Sequence, residues 1–181
     1  MMNKTIVVIS PEDYIACDES SRNMWANKKS GMYGKGLNNT DDDPFRVERV
    51  GRLGEMGLAR LLGTYPDLAY KDGGDNGDII FNGLSIDTKV AFRNYGCGLI
   101  YAINEWGNVI TVKSDIYVFG YLKSEDRDAN SAEIAYVGWA PRKLIMEQPI
   151  LPARKGRHKN YEIEYSELLP LSELKYATFP A

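Results

Sequence analysis

The chain has little cysteine, little histidine and no surplus of positive charge. Two cysteines, Cys17 and Cys97, among 181 residues suggest neither a disulfide framework nor a cysteine-based metal site, and they read as free thiols of a reducing compartment. The single histidine, His158, stands in no recognisable catalytic spacing and is assigned at most a phosphate contact. Lysine and arginine total 22 against 25 acids, a formal net charge of −3. That balance argues against a general polyanion coat and leaves room for a local basic groove. The opening MMNKTIVVIS is a poor signal peptide and too short an apolar run to cross a membrane, so a cytoplasmic protein with no membrane partner is expected. Repeats, low-complexity tracts, a Walker loop and a dinucleotide fingerprint are all missing, which sets nucleotide-driven motors aside. The length fits one domain over residues 1–181 with a core that needs no staples.

What the chain does have is the stretch GGDNGDIIFNGLSIDTKVAF, Gly73 to Phe92. Asn82-Gly83 separates two short apolar runs and suits the two positive-φ positions of a type I′ hairpin. A two-residue loop pairs Phe81 with Leu84, Ile80 with Ser85, Ile79 with Ile86, and Asp78 with Asp87. Side chains alternate along a strand. One face therefore carries Ile79, Phe81, Leu84, Ile86, Val90 and Phe92, and the other carries Asp78, Ser85, Asp87 and Lys89. Directly opposed like charges destabilise a sheet by roughly 0.2–1 kcal/mol, so the pair calls for something positive between them. Hard oxygen donors of this kind suit magnesium or manganese. A polar outer face of an ordinary hairpin accounts for the three residues equally well. An EF-hand reading of DGGDNGDII fails, because its twelfth position is Gly83 and strands flank it.

Asp78, Asp87 and Lys89 resemble the PD-(D/E)xK nuclease superfamily, whose motif is an acid at the start of a hairpin followed by acid, any residue and lysine in the second strand. Gly77 stands where that family has its proline. A second element of the resemblance is Glu55, in GRLGEMGLARLLG, since many of these nucleases, phage ones included, carry a Gly-Glu pair on the helix before the hairpin whose glutamate joins the metal site. The resemblance implies an α/β (α+β) fold with a central mixed sheet of four or more strands flanked by helices, a restriction-endonuclease-like core over about 45–139. It also implies Mg2+, with Mn2+ as substitute, held by Asp78, Asp87, the carbonyl of Thr88 and Glu55, and Lys89 as the lysine that orients the attacking water. DNA is then the partner, and the cell bacterial or phage-infected; monomer and homodimer stay open.

Along the rest of the chain, Thr5 to Ile9 reads as a strand, and Ser10-Pro11-Glu12-Asp13 starts a helix running to about Ser30. Arg22 and Lys28 on that helix are candidate nucleic-acid contacts. Gly31 to Asp43 reads as a loop. The next helix, roughly Phe45 to Leu62, places Val47, Val50, Gly54, Gly57 and Leu61 on one stripe with Gly51 beside it, a costly set of glycines that implies close packing on the hairpin sheet. Ile100 to Ile103 and Val109 to Lys113 read as an excursion, Asp115 to Leu122 and Glu133 to Trp139 as strands, and Pro141 to Met146 as a helical turn. The run ARKGRHK contributes Arg154, Lys155, Arg157 and Lys159 as a phosphate-contacting cluster, although a solvated basic loop accounts for such a run as well. A catalytically silent DNA-binding or structural protein on the same fold, and an RNA-directed nuclease, are the alternatives.

Overall fold

The structure is a computed structural model describing residues 4–28, 43–69, 79–103, 107, 112–152 and 159–177. Strand β1 (Thr5–Ile9) is followed by helices α1 (Pro11–Lys28) and α2 (Arg46–Leu61), the hairpin β2 (Ile79–Phe81) and β3 (Leu84–Ala91), and β4 (Cys97–Ile103). Then come β5 (Ile116–Asp126), β6 (Ser131–Pro141), the short α3 (Arg142–Met146), β7 (Ile150–Pro152) and β8 (Lys159–Glu164), and 3-10 turns at Tyr165–Glu167 and Leu171–Tyr176. The fold is mixed α/β, as the sequence implied. Among the described residues no helix is long and apolar enough to cross a membrane.

Five strands form one mixed sheet in the order β1-β6-β5-β3-β2. Its hairpin has the register read from Asn82-Gly83: Ile79 pairs with Ile86, Ile80 with Ser85 and Phe81 with Leu84, and the turn residues take φ of 51° and 77°. Strand β3 then runs parallel to β5, with Asp87 beside Tyr117 and Lys89 beside Phe119. A parallel neighbour requires a crossover, and the intervening chain uses it to build β4. That strand, with β8 and β7, makes a second sheet of three strands in the order β4-β8-β7.

The two sides of the five-stranded sheet are covered differently. On one side Ile86, Val118, Ile134 and Tyr136 pack with Val50, Leu53 and Met56 of α2 and Tyr14 and Cys17 of α1. On the other, Tyr117, Phe119 and Val137 pack with Ile100 of β4, Ile163 of β8 and Ile145 of α3. Every second residue of β3 thus meets helix, and the residues between them turn toward the second sheet.

Helix α2 lies on β3 through glycine. A Cβ at Gly54 would run into Val90 Cγ2 and stand 3.5 Å from Thr88 Cγ2, and one at Gly57 would stand 2.7 Å from the Tyr136 hydroxyl. That hydroxyl donates to the Gly54 carbonyl at 2.5 Å. The expected stripe is wrong at its ends, since Val47 and Leu61 are exposed while Arg49 is fully buried. Pairing with carboxylates outweighs hydrophobicity there: Arg49 bonds Asp43, Asp18 at 3.3 Å and Glu125 at 2.8 Å. The second sheet was not expected from sequence, and Ile100 to Ile103 belong to it rather than to the hairpin sheet. Residues 112–114, described at the end of the run Val109 to Lys113, are not strand.

Two helical glycines separate close packing from helix propensity. Gly51 has nothing within 4 Å of an added Cβ, so Gly51→Ala is expected to stabilise by about 0.5–1 kcal/mol. Gly54→Ala gains the same propensity but overpacks against Val90, a cost of about 1–3 kcal/mol. Urea denaturation of both variants should place them on opposite sides of the wild type.

Candidate active site on strand β3

The alternation of β3 decides which side chains share a space. Thr88 and Val90 face α2, so Asp87 and Lys89 face the other way, toward the second sheet. They form an ion pair, Lys89 Nζ lying 2.7 Å from Asp87 Oδ1, with side chains 41 % and 20 % exposed. Tyr117, next to Asp87 across the parallel ladder, is buried there. Burial first, and then the Asp87 carboxylate, hold its phenol above the ordinary pKa of 10.0. On the far side of Lys89, the ring of Phe119 sits so close to β4 that only glycine fits at position 98. The pair is therefore half-buried beside Tyr117 and Phe119 of β5, where charges interact more strongly than in water.

Glu55 is placed differently. It is on α2, nine-tenths buried, and its Oε2 lies 2.5 Å from Arg52 Nη1. Burial, and after it the nearby Glu55, push the Cys17 thiol up to about 12, so Glu55 sits in the layer between α1 and α2. The sheet separates that layer from Asp87 and Lys89. Beyond Ile86, among the described residues, no strand pairs with Asp87–Ala91 on the β2 side, so that edge of β3 is open. Thr88 is buried with its methyl toward Gly54. Asp78, Arg154, Lys155 and Arg157 lie outside the described residues.

Of the remaining expected contacts, Arg22 is on the α1 side of the sheet, bonded to Asp18 at 2.8 Å and stacked 4.3 Å from the Phe45 ring. It does not share a face with Asp87 and Lys89. Lys28 ends α1, and Lys159 is exposed at the start of β8. Arg22 lines a polar cavity of about 740 Å³ with Tyr14, Asp18, Glu125, Asp126, Arg127, Asp128 and Asn130, in which acids outnumber bases.

The oxygen donors suit a hard divalent cation in kind. In number, the described residues bring no three His, Cys, Asp or Glu side chains together for a metal. The carboxylate of Asp87 and the carbonyl of Thr88 are the donors on β3 itself.

Sequence reading missed the clamp that fixes the start of β3. Ser85 donates its N–H and its hydroxyl to Asp115 Oδ2 at 3.0 and 2.8 Å, and Asp115 N–H returns a bond to the Ser85 carbonyl at 3.0 Å. Arg142 braces Asp115 from α3 at 3.3 Å. The signal was an aspartate opening a strongly β run, which reads equally as a turn residue. Its carboxyl lies below the ordinary 3.8 because of the backbone bond from Ser85, which outweighs burial. A depressed folded-state pKa means that the stabilisation is complete above the unfolded value and is lost as pH falls through the folded one. Asp115→Asn should therefore melt lower than wild type at neutral pH, and the gap should close in acid below pH 3.8, as read by thermal denaturation against pH.

Comparisons with protein-family models, with curated proteins and with solved structures find no match, so the function is argued from these side chains.

Proposed function

We propose that the protein is a metal-dependent nuclease that hydrolyses phosphodiester bonds in DNA, with Asp87 and Lys89 at its centre. The observation that carries the reading is the ion pair on one face of β3, two residues apart, held in a half-buried space at the hairpin expected from sequence. In the superfamily this chain resembles, such an acid and lysine share the reacting phosphate.

Asp78, Asp87 and the Thr88 carbonyl would hold the magnesium ion, and Glu55 would join them only by giving up Arg52 and reaching round the sheet edge. When bound, such an ion polarises the phosphate and lowers the pKa of a coordinated water. The work of the chain's own residues is positional and electrostatic. Lys89, paired with Asp87 on the same face of β3, would turn its ammonium from the Asp87 oxygen to an oxygen of a bound phosphodiester. There it balances charge that grows as the phosphorus becomes five-coordinate. The neighbouring rings of Tyr117 and Phe119 would shield one side of the pair from water and strengthen these interactions.

The silent DNA-binding reading has one observation in its favour: Glu55 already has Arg52 as partner. The two readings separate cleanly in solution. Plasmid DNA should be cut with magnesium and not with EDTA, and Lys89→Ala should reduce cutting at least about a hundredfold with an unchanged melting temperature. A Lys89→Ala protein that cuts at the wild-type rate would sink the assignment. Glu55→Gln gives a further test: loss of cutting at unchanged stability makes Glu55 part of the machinery, whereas lower stability with unchanged cutting leaves it a partner of Arg52 alone.

A further inference from the structure

Strand β3 leaves the five-stranded sheet at Ala91, and the chain joins the three-stranded sheet at Cys97. Residues 92–96 therefore bridge the two layers at the end of the face that carries Asp87 and Lys89. Phe92 still obeys the alternation: it packs in the core on the α2 side, 4.8 Å from the Arg46 guanidinium. Arg93 follows in the bend at 92–93 that ends the strand, four residues after Lys89.

Arg93 and Tyr95 are both exposed, and the guanidinium lies 4.9 Å from the centre of the tyrosine ring. The loop that presents them is pinned. Asn94 Oδ1 accepts the Gly96 N–H at 3.0 Å, Gly96 takes a φ of +82° that favours glycine, and its carbonyl accepts the Tyr165 N–H at 2.8 Å. Among the described residues, no carboxylate neutralises Arg93. The other exposed arginine–tyrosine stack, Arg60 on Tyr65, differs in this respect, since Arg60 is bound to Asp13 at 2.5 Å. An exposed cation with no carboxylate partner among the described residues, beside an exposed aromatic ring, is the chemistry that holds single-stranded nucleic acid: the ring takes a base of any identity and the cation meets a phosphate.

We propose that Arg93 and Tyr95 form a subsite for an unpaired nucleotide, Tyr95 stacking on its base and Arg93 meeting the adjoining phosphate, so that the strand is led past Asp87 and Lys89. This rests on the nuclease reading and names its substrate class, DNA with a single-stranded segment. A duplex keeps its bases stacked on one another and offers Tyr95 nothing, so only the arginine serves both.

Fluorescence anisotropy with a labelled short oligothymidylate and with a blunt duplex, in EDTA to prevent cutting, reads the subsite without activity. Tyr95→Ala should weaken single-strand binding about tenfold and leave duplex binding unchanged, while Tyr95→Phe, which keeps the ring, should stay within about twofold. Arg93→Ala should weaken both and lower the slope of log affinity against log salt by about 0.7 on the single strand. Equal single-strand affinity in wild type and Tyr95→Ala, or an equal loss on both substrates, overturns the subsite. If wild type also cuts plasmid with magnesium, the subsite alone has failed. A wild type that binds neither substrate overturns the subsite and the nuclease reading together.

Discussion

Helix α2 can lie against β3 only because position 54 carries no side chain, and against β1 and β6 only because position 57 carries none. The contact fixes more than a packing distance. By bringing the helix backbone onto Thr88 and Val90, it determines which residues of β3 become core and which are turned outward. Asp87 and Lys89 face the second sheet as a direct consequence. The Tyr136 hydroxyl, bonded to the Gly54 carbonyl, ties the same helix turn to β6.

The second sheet gives the outward face its character. Left open to water, an aspartate and a lysine two residues apart on a strand contribute little. Beside Tyr117 and Phe119 of β5 they are half-buried instead, with side chains 20 % and 41 % exposed. In the structure each has the other as partner. The Asp115–Ser85 clamp and the Gly96–Tyr165 bond hold the two ends of this strand segment.

The hairpin was legible because its determinants are local: Asn82-Gly83 dictates the turn, the turn dictates the register, and strict alternation does the rest. The tight helix contact was legible for a similar reason, since glycines at helical spacing lose propensity that a close neighbour must offset. Arg49 was not, because nothing in a sequence distinguishes a solvated arginine from one whose partners arrive from Asp18, Asp43 and Glu125, up to 76 residues away. The second sheet was hidden too. Its strands β4 and β8 come from distant parts of the chain and pair only after the first sheet exists. Glu55 lay between these cases: its helix and its burial followed from sequence, but its pairing with Arg52 and its layer relative to Asp87 depended on how α1 docks.

That docking has its own safeguard in the network around Arg49. The guanidinium is completely removed from water and meets carboxylates of α1, of the approach to α2 and of the far end of β5, while the Tyr14 hydroxyl donates to the same Glu125 at 2.8 Å. A hydrophobic contact tolerates sliding by an ångström, but a buried cation does not. Any arrangement in which α1 packed a turn out of place would leave a bare charge in the interior, at a cost of several kcal/mol. The network thus acts as a proofreading device for assembly, accepting one juxtaposition of helices and sheet and rejecting its near neighbours.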